Sequence, residues 1–218
     1  MNTRPAAPRA ATHAHQDQIL EAAAECFMER GYNASSIDDV ARRLGSTKGR
    51  IYHHYPSKAD LFADVFRHGM AMNFRLVEPI AESGGPSKER LKAMSFAHCL
   101  NMIRTRPFQR CVWEGVSMLM RGATTPEQRA TLIELQQQRE KYADIFRTVL
   151  EECREAGVAR FENVGIILQI FFMSLNSPLF WYSPRDGDDE KSMRQIASQC
   201  TQFALRGVGL KEKDLTDV

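Results

Sequence analysis

Residues 36–55 read SIDDVARRLGSTKGRIYHHY, and this stretch decides the fold. Ile37, Val40, Ala41 and Leu44 recur at the three- and four-residue spacing that marks one face of a helix. Ser35 and Ser36 stand where a helix start needs a side-chain acceptor, and Asp38 and Asp39 fall in the first turn, where the helix dipole favours carboxylates. Gly45 ends that helix and Ser46 or Thr47 caps the next. The second helix stops at Tyr55, because Pro56 drives the residue before it out of the helical region. Two short helices joined by Leu44-Gly45-Ser46 and locked through Ile37, Val40, Leu44 and Ile51 are what a helix-turn-helix requires. The second helix then faces outward with Thr47, Lys48, Gly49, Arg50, Tyr52, His53 and His54. That row of donors surrounds a glycine that lets backbone approach backbone. Lys48 and Arg50 suit guanine edges or phosphates, and Tyr52 and His53 a base edge or a thymine methyl.

Working outward, Ile19, Ala22, Ala23, Cys26 and Phe27 mark the buried face of a preceding helix that Gly31 ends. Residues 1–15 hold no apolar segment and read as a disordered tail, not a signal peptide. Arg4 and Arg9 in that tail either reach a minor groove as a basic arm does or play no part. On the other side, Ser57 and Asp60 form a capping-box-like start to a longer helix carrying Leu61, Val65, Met72 and Leu76. Breaks at residues 83–86, Pro107, Gly122 to Pro126, Gly157 and residues 183–187 leave helices near 87–105, 108–121, 127–156, 162–182 and 189–207. Pro178 kinks the penultimate helix or ends it early. No period-two alternation and no hairpin turn signals a strand. The expected fold is all-α with about nine helices: a tail over 1–15, a three-helix DNA-binding module over 16–65 and a larger helical domain over 66–218.

Composition adds exclusions. Hydrophobic residues make up 43% and charged residues 26%, ordinary for a globular chain. The net charge of +2 announces no polybasic surface, so contact with DNA must come from a local concentration of donors. The five cysteines are odd in number and widely spaced, which argues against a disulfide framework and a zinc site. Val164 to Leu175, the most apolar run, contains Gln169 and falls short of the roughly 20 residues that span a bilayer. A cytoplasmic protein without a membrane partner is expected. No HExxH, GxSxG, P-loop or dinucleotide fingerprint is present. His53 and His54 are adjacent and diverge by about 100° on a helix, so they cannot chelate one metal. The reading therefore contains no catalytic residue, no metal and no cofactor, and the chain is not expected to be an enzyme.

From Ile19 onward the sequence ILEAAAECFMERGYNASSIDDVARRLGSTKGRIYHHYPSKADLF resembles the N-terminal module of TetR-family transcriptional regulators. The aromatic Tyr32 after the helix-ending glycine, SIDDVARRLG, KGRIYHHY and SKADLF carry the likeness. Arg50 departs from it, where a small or polar residue is frequent, as does Tyr55, where phenylalanine is usual. The resemblance implies that Ser36, Thr47, Lys48, Tyr52, His53, Tyr55 and Lys58 occupy DNA-contacting positions. It assigns phosphate clamping to Ser36, Tyr55 and Lys58, and groove contact to Lys48, Gly49, Arg50, Tyr52 and His53. Arg42 and Arg43 on the support helix either add phosphate contacts or form a solvated face.

The same resemblance implies that the second domain binds a small hydrophobic molecule in its core and forms a homodimer through its last two helices. Ile166, Ile170, Leu175, Met193, Ile196, Cys200 and Phe203 are the candidate interface; completing the subunit's own core is the alternative. Met102, Phe108, Trp113, Val116, Met120, Phe146, Phe172 and Trp181 are the candidate pocket lining, with plain core packing as the alternative for each. The tract SLNSPLFWYSPRDG and the helix ending FALRGVGL are similar to the branch of this family that responds to acyl-CoA thioesters. In that reading Arg104, Arg106 and Arg110 neutralise CoA phosphates; otherwise they line a solvated loop. The implied function is a dimeric repressor on a palindromic operator of double-stranded DNA, released by an acyl-CoA or another apolar effector. An activator and a DNA-independent helical interaction module stand as alternatives.

Overall fold

The structure, a computed structural model, describes residues 8–122 and 125–215, with backbone alone for 8–14. Among the described residues there are ten α-helices and no strand. They are α1 (Pro8–Ala34), α2 (Ile37–Arg43), α3 (Lys48–His54), α4 (Lys58–Ala81), α5 (Ser87–Arg104), α6 (Arg106–Arg121), α7 (Pro126–Glu155), α8 (Val164–Asn176), α9 (Pro178–Trp181) and α10 (Glu190–Gly207), followed by a 3-10 turn at Glu212–Asp214. The all-α expectation holds. Two local readings need correction. Residues 8–15, expected as tail, form the first turns of α1, which opens on a proline whose fixed φ suits a helix start. The break expected at Pro107 falls at Thr105 instead, because Pro107 sits in the first turn of α6, where its missing N–H costs nothing. Arg4 lies outside the described residues, as does the side chain of Arg9.

Local signals account for the other boundaries. Gly31 interrupts α1 with φ +77°. At Gly45, φ is +62°; Ser46 N–H donates to the Ala41 carbonyl (2.9 Å) and Gly45 N–H to Arg42 (3.2 Å), closing α2 with a glycine in the left-handed region. Asp60 N–H donates to Ser57 Oγ at 3.1 Å and Ser57 Oγ to Asp60 Oδ2 at 2.7 Å, the cap the sequence predicts for α4. Asn176 ends α8 and Pro178 starts the single turn of α9. Together they prolong the apolar run to Val164–Trp181, 18 residues of mean hydropathy 1.5, long and apolar enough by length and composition to cross a membrane. That exceeds the run visible in the sequence, and a third of it is buried within the protein.

The chain divides into two compact units. The first comprises Met1–Gly69 and Pro107–Leu135, so α6 and the start of α7 belong with α1, α2, α3 and the first half of α4. Its core joins Ile19, Ala23, Val40, Ile51, Leu61, Val65 and Phe66, all at most 1% exposed. Phe62 meets Phe27 and Tyr32 edge-on, and the three ring centroids lie 4.9–5.9 Å apart. The sequence underestimates α6, whose Phe108, Cys111 and Val112 are buried there and whose Cys111 thiol reaches the Ala24 carbonyl at 3.8 Å. Gly115 permits the closest approach: a Cβ at this position would lie 2.8 Å from the Phe66 ring.

The second unit comprises Met70–Arg106 and Gln136–Val218. Here α10 packs along α5 and α8. Leu91, Met94, Phe146, Leu150, Leu168, Phe171 and Leu175 form the interior, none more than 2% exposed. Polar groups penetrate this core. Asn101 donates to Asn73 at 2.7 Å, and His98, 3% exposed, sits among Tyr142, Phe146 and Phe172. His98 Nε2 lies 2.9 Å from Asn176 Oδ1 and Nδ1 lies 2.7 Å from Tyr142 Oη. A carboxamide oxygen only accepts, so Nε2 carries the ring proton and Nδ1 accepts from the tyrosine hydroxyl. Burial, with the nearby Arg139 charge adding to it, lowers the His98 pKa from 6.5 to about 4 despite the Asn176 contact.

Two outcomes follow for stability. Gly115→Ala must displace the Phe66 ring and is expected to cost about 1–3 kcal/mol by thermal melting, whereas Gly207→Ala meets open space and is expected to be neutral or better. Because the folded state resists protonating His98 while the unfolded chain accepts a proton below pH 6.5, stability is full above that pH and declines as pH falls toward 4. Melting curves between pH 7 and 5 should show this decline in the native protein and a shallower one in His98→Gln.

Candidate nucleic-acid interface

The α2–α3 pair is set by its buried side. Val40 and Ile51 are fully enclosed and Ile37 is 5% exposed, so α3 has one permitted rotation. That rotation leaves Thr47, Lys48, Gly49, Arg50, Tyr52 and His53 exposed together on one surface. Thr47 caps α3 in extended geometry without a side-chain bond to the helix, so its hydroxyl is not used by the cap. Lys48 donates to Asp38 on α2 at 3.1 Å and lies 5.7 Å from the centre of the Tyr52 ring, an arrangement that orients both side chains. The Asp38 contact raises the lysine pKa, so Lys48 presents a cation throughout the neutral range.

The support helix is tied down by charge. Ser36 caps α2: its hydroxyl accepts from Asp39 N–H at 3.2 Å and donates to Asp39 Oδ2 at 2.6 Å, while Ser36 N–H donates to the same carboxylate at 3.0 Å. These bonds, then the Arg30 and Arg42 charges, hold the Asp39 pKa down near 2. Arg42 pairs with Asp39 at 3.0 Å but keeps 72% of its side chain in solvent. Arg43 is engaged by Glu25 (2.7 Å) and by Glu29 on α1, and these contacts raise its pKa. Of the two arginines, Arg42 has the freer head and Arg43 bridges α2 to α1.

Two residues that the resemblance assigns to phosphate clamping are turned inward here. Tyr55 is 3% exposed, and its hydroxyl accepts from Gln16 Nε2 at 3.2 Å. Lys58 points its ammonium at the carbonyls of Tyr32 (2.8 Å) and Ser35 (2.9 Å), and lies 4.3 Å from the centre of the Tyr32 ring. Burial lowers its pKa. Both side chains join helices within the module, and their partners lie 23–39 positions away, beyond the reach of local pattern reading.

The other candidates separate by exposure. Met102, Phe108, Phe146 and Phe172 are buried and Trp113 and Val116 half-buried, whereas Met120 is 82% and Trp181 57% exposed. Phe108, Trp113, Val116 and Met120 lie on α6 in the first unit and the other four in the second, so no single unit gathers all eight. Arg104 is paired with Glu190. Among the interface candidates, Ile166 (62%), Ile170 (56%) and Phe203 (69%) are exposed. Met193, Ile196 and Cys200 are half-buried. Leu175 is fully enclosed in the second unit's core and does not share that face, because it sits on the opposite side of α8 from Ile170. Met173 is 51% exposed and shares a groove with Ile170, Cys200 and Phe203.

Comparison with known proteins agrees with the fold. The family model described as "Bacterial regulatory proteins, tetR family" matches residues 19–65, and "Tetracyclin repressor-like, C-terminal domain" matches residues 84–208. The HTH-type transcriptional repressor KstR2 of Mycobacterium tuberculosis is 26% identical over 199 residues, 90% of this chain and 94% of that one. The repressor AcnR of Corynebacterium diphtheriae is 35% identical over 69 residues, 32% of this chain and 35% of its own length. The crystal structure of AibR in complex with isovaleryl coenzyme A and operator DNA superposes with a TM-score of 0.68 at 24% identity, covering 86% of this chain and 96% of that one. These family matches name transcriptional regulators and no enzyme. The chain belongs to the TetR family of DNA-binding transcriptional regulators, with the helix-turn-helix at α2–α3.

Proposed function

We propose that the protein is a cytoplasmic repressor that binds a palindromic operator as a homodimer and is released by an apolar effector, with an acyl-CoA as the first candidate. The observation that carries the reading is the division of α3 into one enclosed residue, Ile51, and an outward surface of Lys48, Gly49, Arg50, Tyr52 and His53. In this reading Thr47 and Arg42 add phosphate contacts while Ser36, whose hydroxyl and N–H are both given to Asp39, fixes the start of α2, and the residues beyond 66 serve effector binding and dimerisation. Repression is supported by the name of KstR2, matched over nearly the whole chain, and an acyl-CoA by the AibR complex of the same fold.

Dimerisation is supported by the surface of α8 and α10. Ile166, Ile170, Met173 and Phe203 expose 51–69% of their area on one face, a group of large apolar side chains that a second copy would shield from water. A two-fold pair of such faces makes a four-helix interface and sets two recognition helices for successive major grooves about 34–36 Å apart. The effector then favours a conformation that breaks this spacing, and operator DNA must weaken effector binding by the same factor.

The double variant Ile170→Glu, Phe203→Glu should sediment as a monomer with unchanged helix content and bind operator at least 100-fold more weakly. A dimer, or a monomer of undiminished affinity, contradicts the reading. Lys48→Ala should weaken operator binding and make the slope of log affinity against log salt shallower by about 0.9. Arg43→Ala should leave that slope unchanged and lower stability by at most about 1 kcal/mol, since it is committed to Glu25 and Glu29.

A further inference from the structure

Along α7, Gln136, Arg139, Tyr142 and Phe146 follow one another at spacings of three, three and four, one face of the helix. Tyr142 and Phe146 on that face are 3% and 0% exposed and enclose His98. The polar groups deepest in this cluster satisfy one another: Tyr142 donates to His98 Nδ1, and His98 Nε2–H donates to Asn176. One and two turns earlier on the same face, the pairing stops. Gln136 gives its Nε2 to Glu140 at 3.2 Å, but its Oε1 is shut off from solvent with no partner. Arg139, half-buried, makes no hydrogen bond and no ion pair among the described residues.

Several other cations of this unit are matched by carboxylates. Lys88 has Asp214, Arg90 has Glu152, Arg104 and Arg194 share Glu190, Arg147 has Asp144 and Arg206 has Glu212, although several of these are well exposed. Lys92, which is buried, pairs with Glu89, whereas the half-buried Arg139 has no ion pair among the described residues. Shielding Arg139 from water disfavours its charge, and Glu140 beside it in sequence offsets this only partly. A guanidinium offers five donors in a planar fork that matches an oxyanion, and here the fork is unused.

We propose that Arg139 is the anion-reading residue of the effector site: the effector carries a phosphate or carboxylate that pairs with its guanidinium, while Gln136 Oε1 accepts an N–H or O–H of the same molecule. The inference rests on the reading that this domain binds a small effector, and it narrows that effector to an anion. A neutral lipid or sterol leaves the Arg139 charge unpaired and is selected against. An acyl-CoA supplies the oxyanion as phosphate and a free fatty acid as carboxylate.

The test compares native protein with Arg139→Gln and Arg139→Lys by thermal shift and calorimetry, using octanoyl-CoA, octanoate, inorganic pyrophosphate and octanol. At least one anionic probe should raise the native melting temperature and octanol should not. Arg139→Gln should bind the effective anion at least tenfold more weakly, and Arg139→Lys should recover part of the loss. Without ligand, Arg139→Gln should melt no lower than the native protein, since it removes no hydrogen bond or ion pair and replaces a poorly solvated charge with a shorter polar side chain. Response to octanoate alone keeps this proposal and defeats the acyl-CoA reading. Binding of octanoyl-CoA without release of DNA also keeps it and defeats the effector-released repressor. The proposal is overturned if no anionic probe shifts the native protein, if octanol matches the anions, if Arg139→Gln binds the effective anion as tightly, or if its ligand-free melting temperature falls.

Discussion

The grip of Lys58 on the end of α1 is the contact on which the DNA-binding module depends. Its ammonium caps the carbonyls of Tyr32 and Ser35 and lies near the Tyr32 ring, fastening the first turn of α4 to the segment that leads into α2. Tyr32 in turn packs with Phe62 on α4 and with Phe27 on α1, so cation, aromatic cluster and chain reversal form one assembly. A turn into α2 at this point would otherwise leave helix-end carbonyls exposed or unpaired.

Charge works locally in this molecule. A net charge of +2 supplies no general attraction to DNA. The surface of α3 nonetheless keeps Lys48 cationic through Asp38, while Asp39, Glu25 and Glu29 engage the arginines of α2. Carboxylates within the module thus orient its cations. Arg139 inverts that arrangement. It is a cation shielded from water with no carboxylate against it, as expected where the partner arrives as a ligand.

How much was legible follows from how far apart the partners are. Gly45, the Ser57–Asp60 cap and the packing of Val40 and Ile51 were readable because each depends on residues within a few positions or on helical spacing. The inward turn of Tyr55 and Lys58 was not, since Gln16, Tyr32 and Ser35 meet them only in the folded module. The same limit explains Leu175. On an almost wholly apolar helix, periodicity does not tell the core side from the side left exposed, and only packing distinguishes Leu175 from Ile170. The allegiance of α6 to the first unit was likewise hidden, because it rests on Gly115 and Cys111 meeting Phe66 and Ala24.

The central claim is that α3 reads a base sequence twice over, once from each subunit of a dimer. Selection of bound duplexes from a random DNA pool, at physiological salt, tests it most directly. The account predicts an enriched motif of two inverted half-sites whose centres lie one helical turn apart, about 34–36 Å, or a multiple of it. A pool that stays unenriched, or that yields a single unpaired half-site, would contradict it.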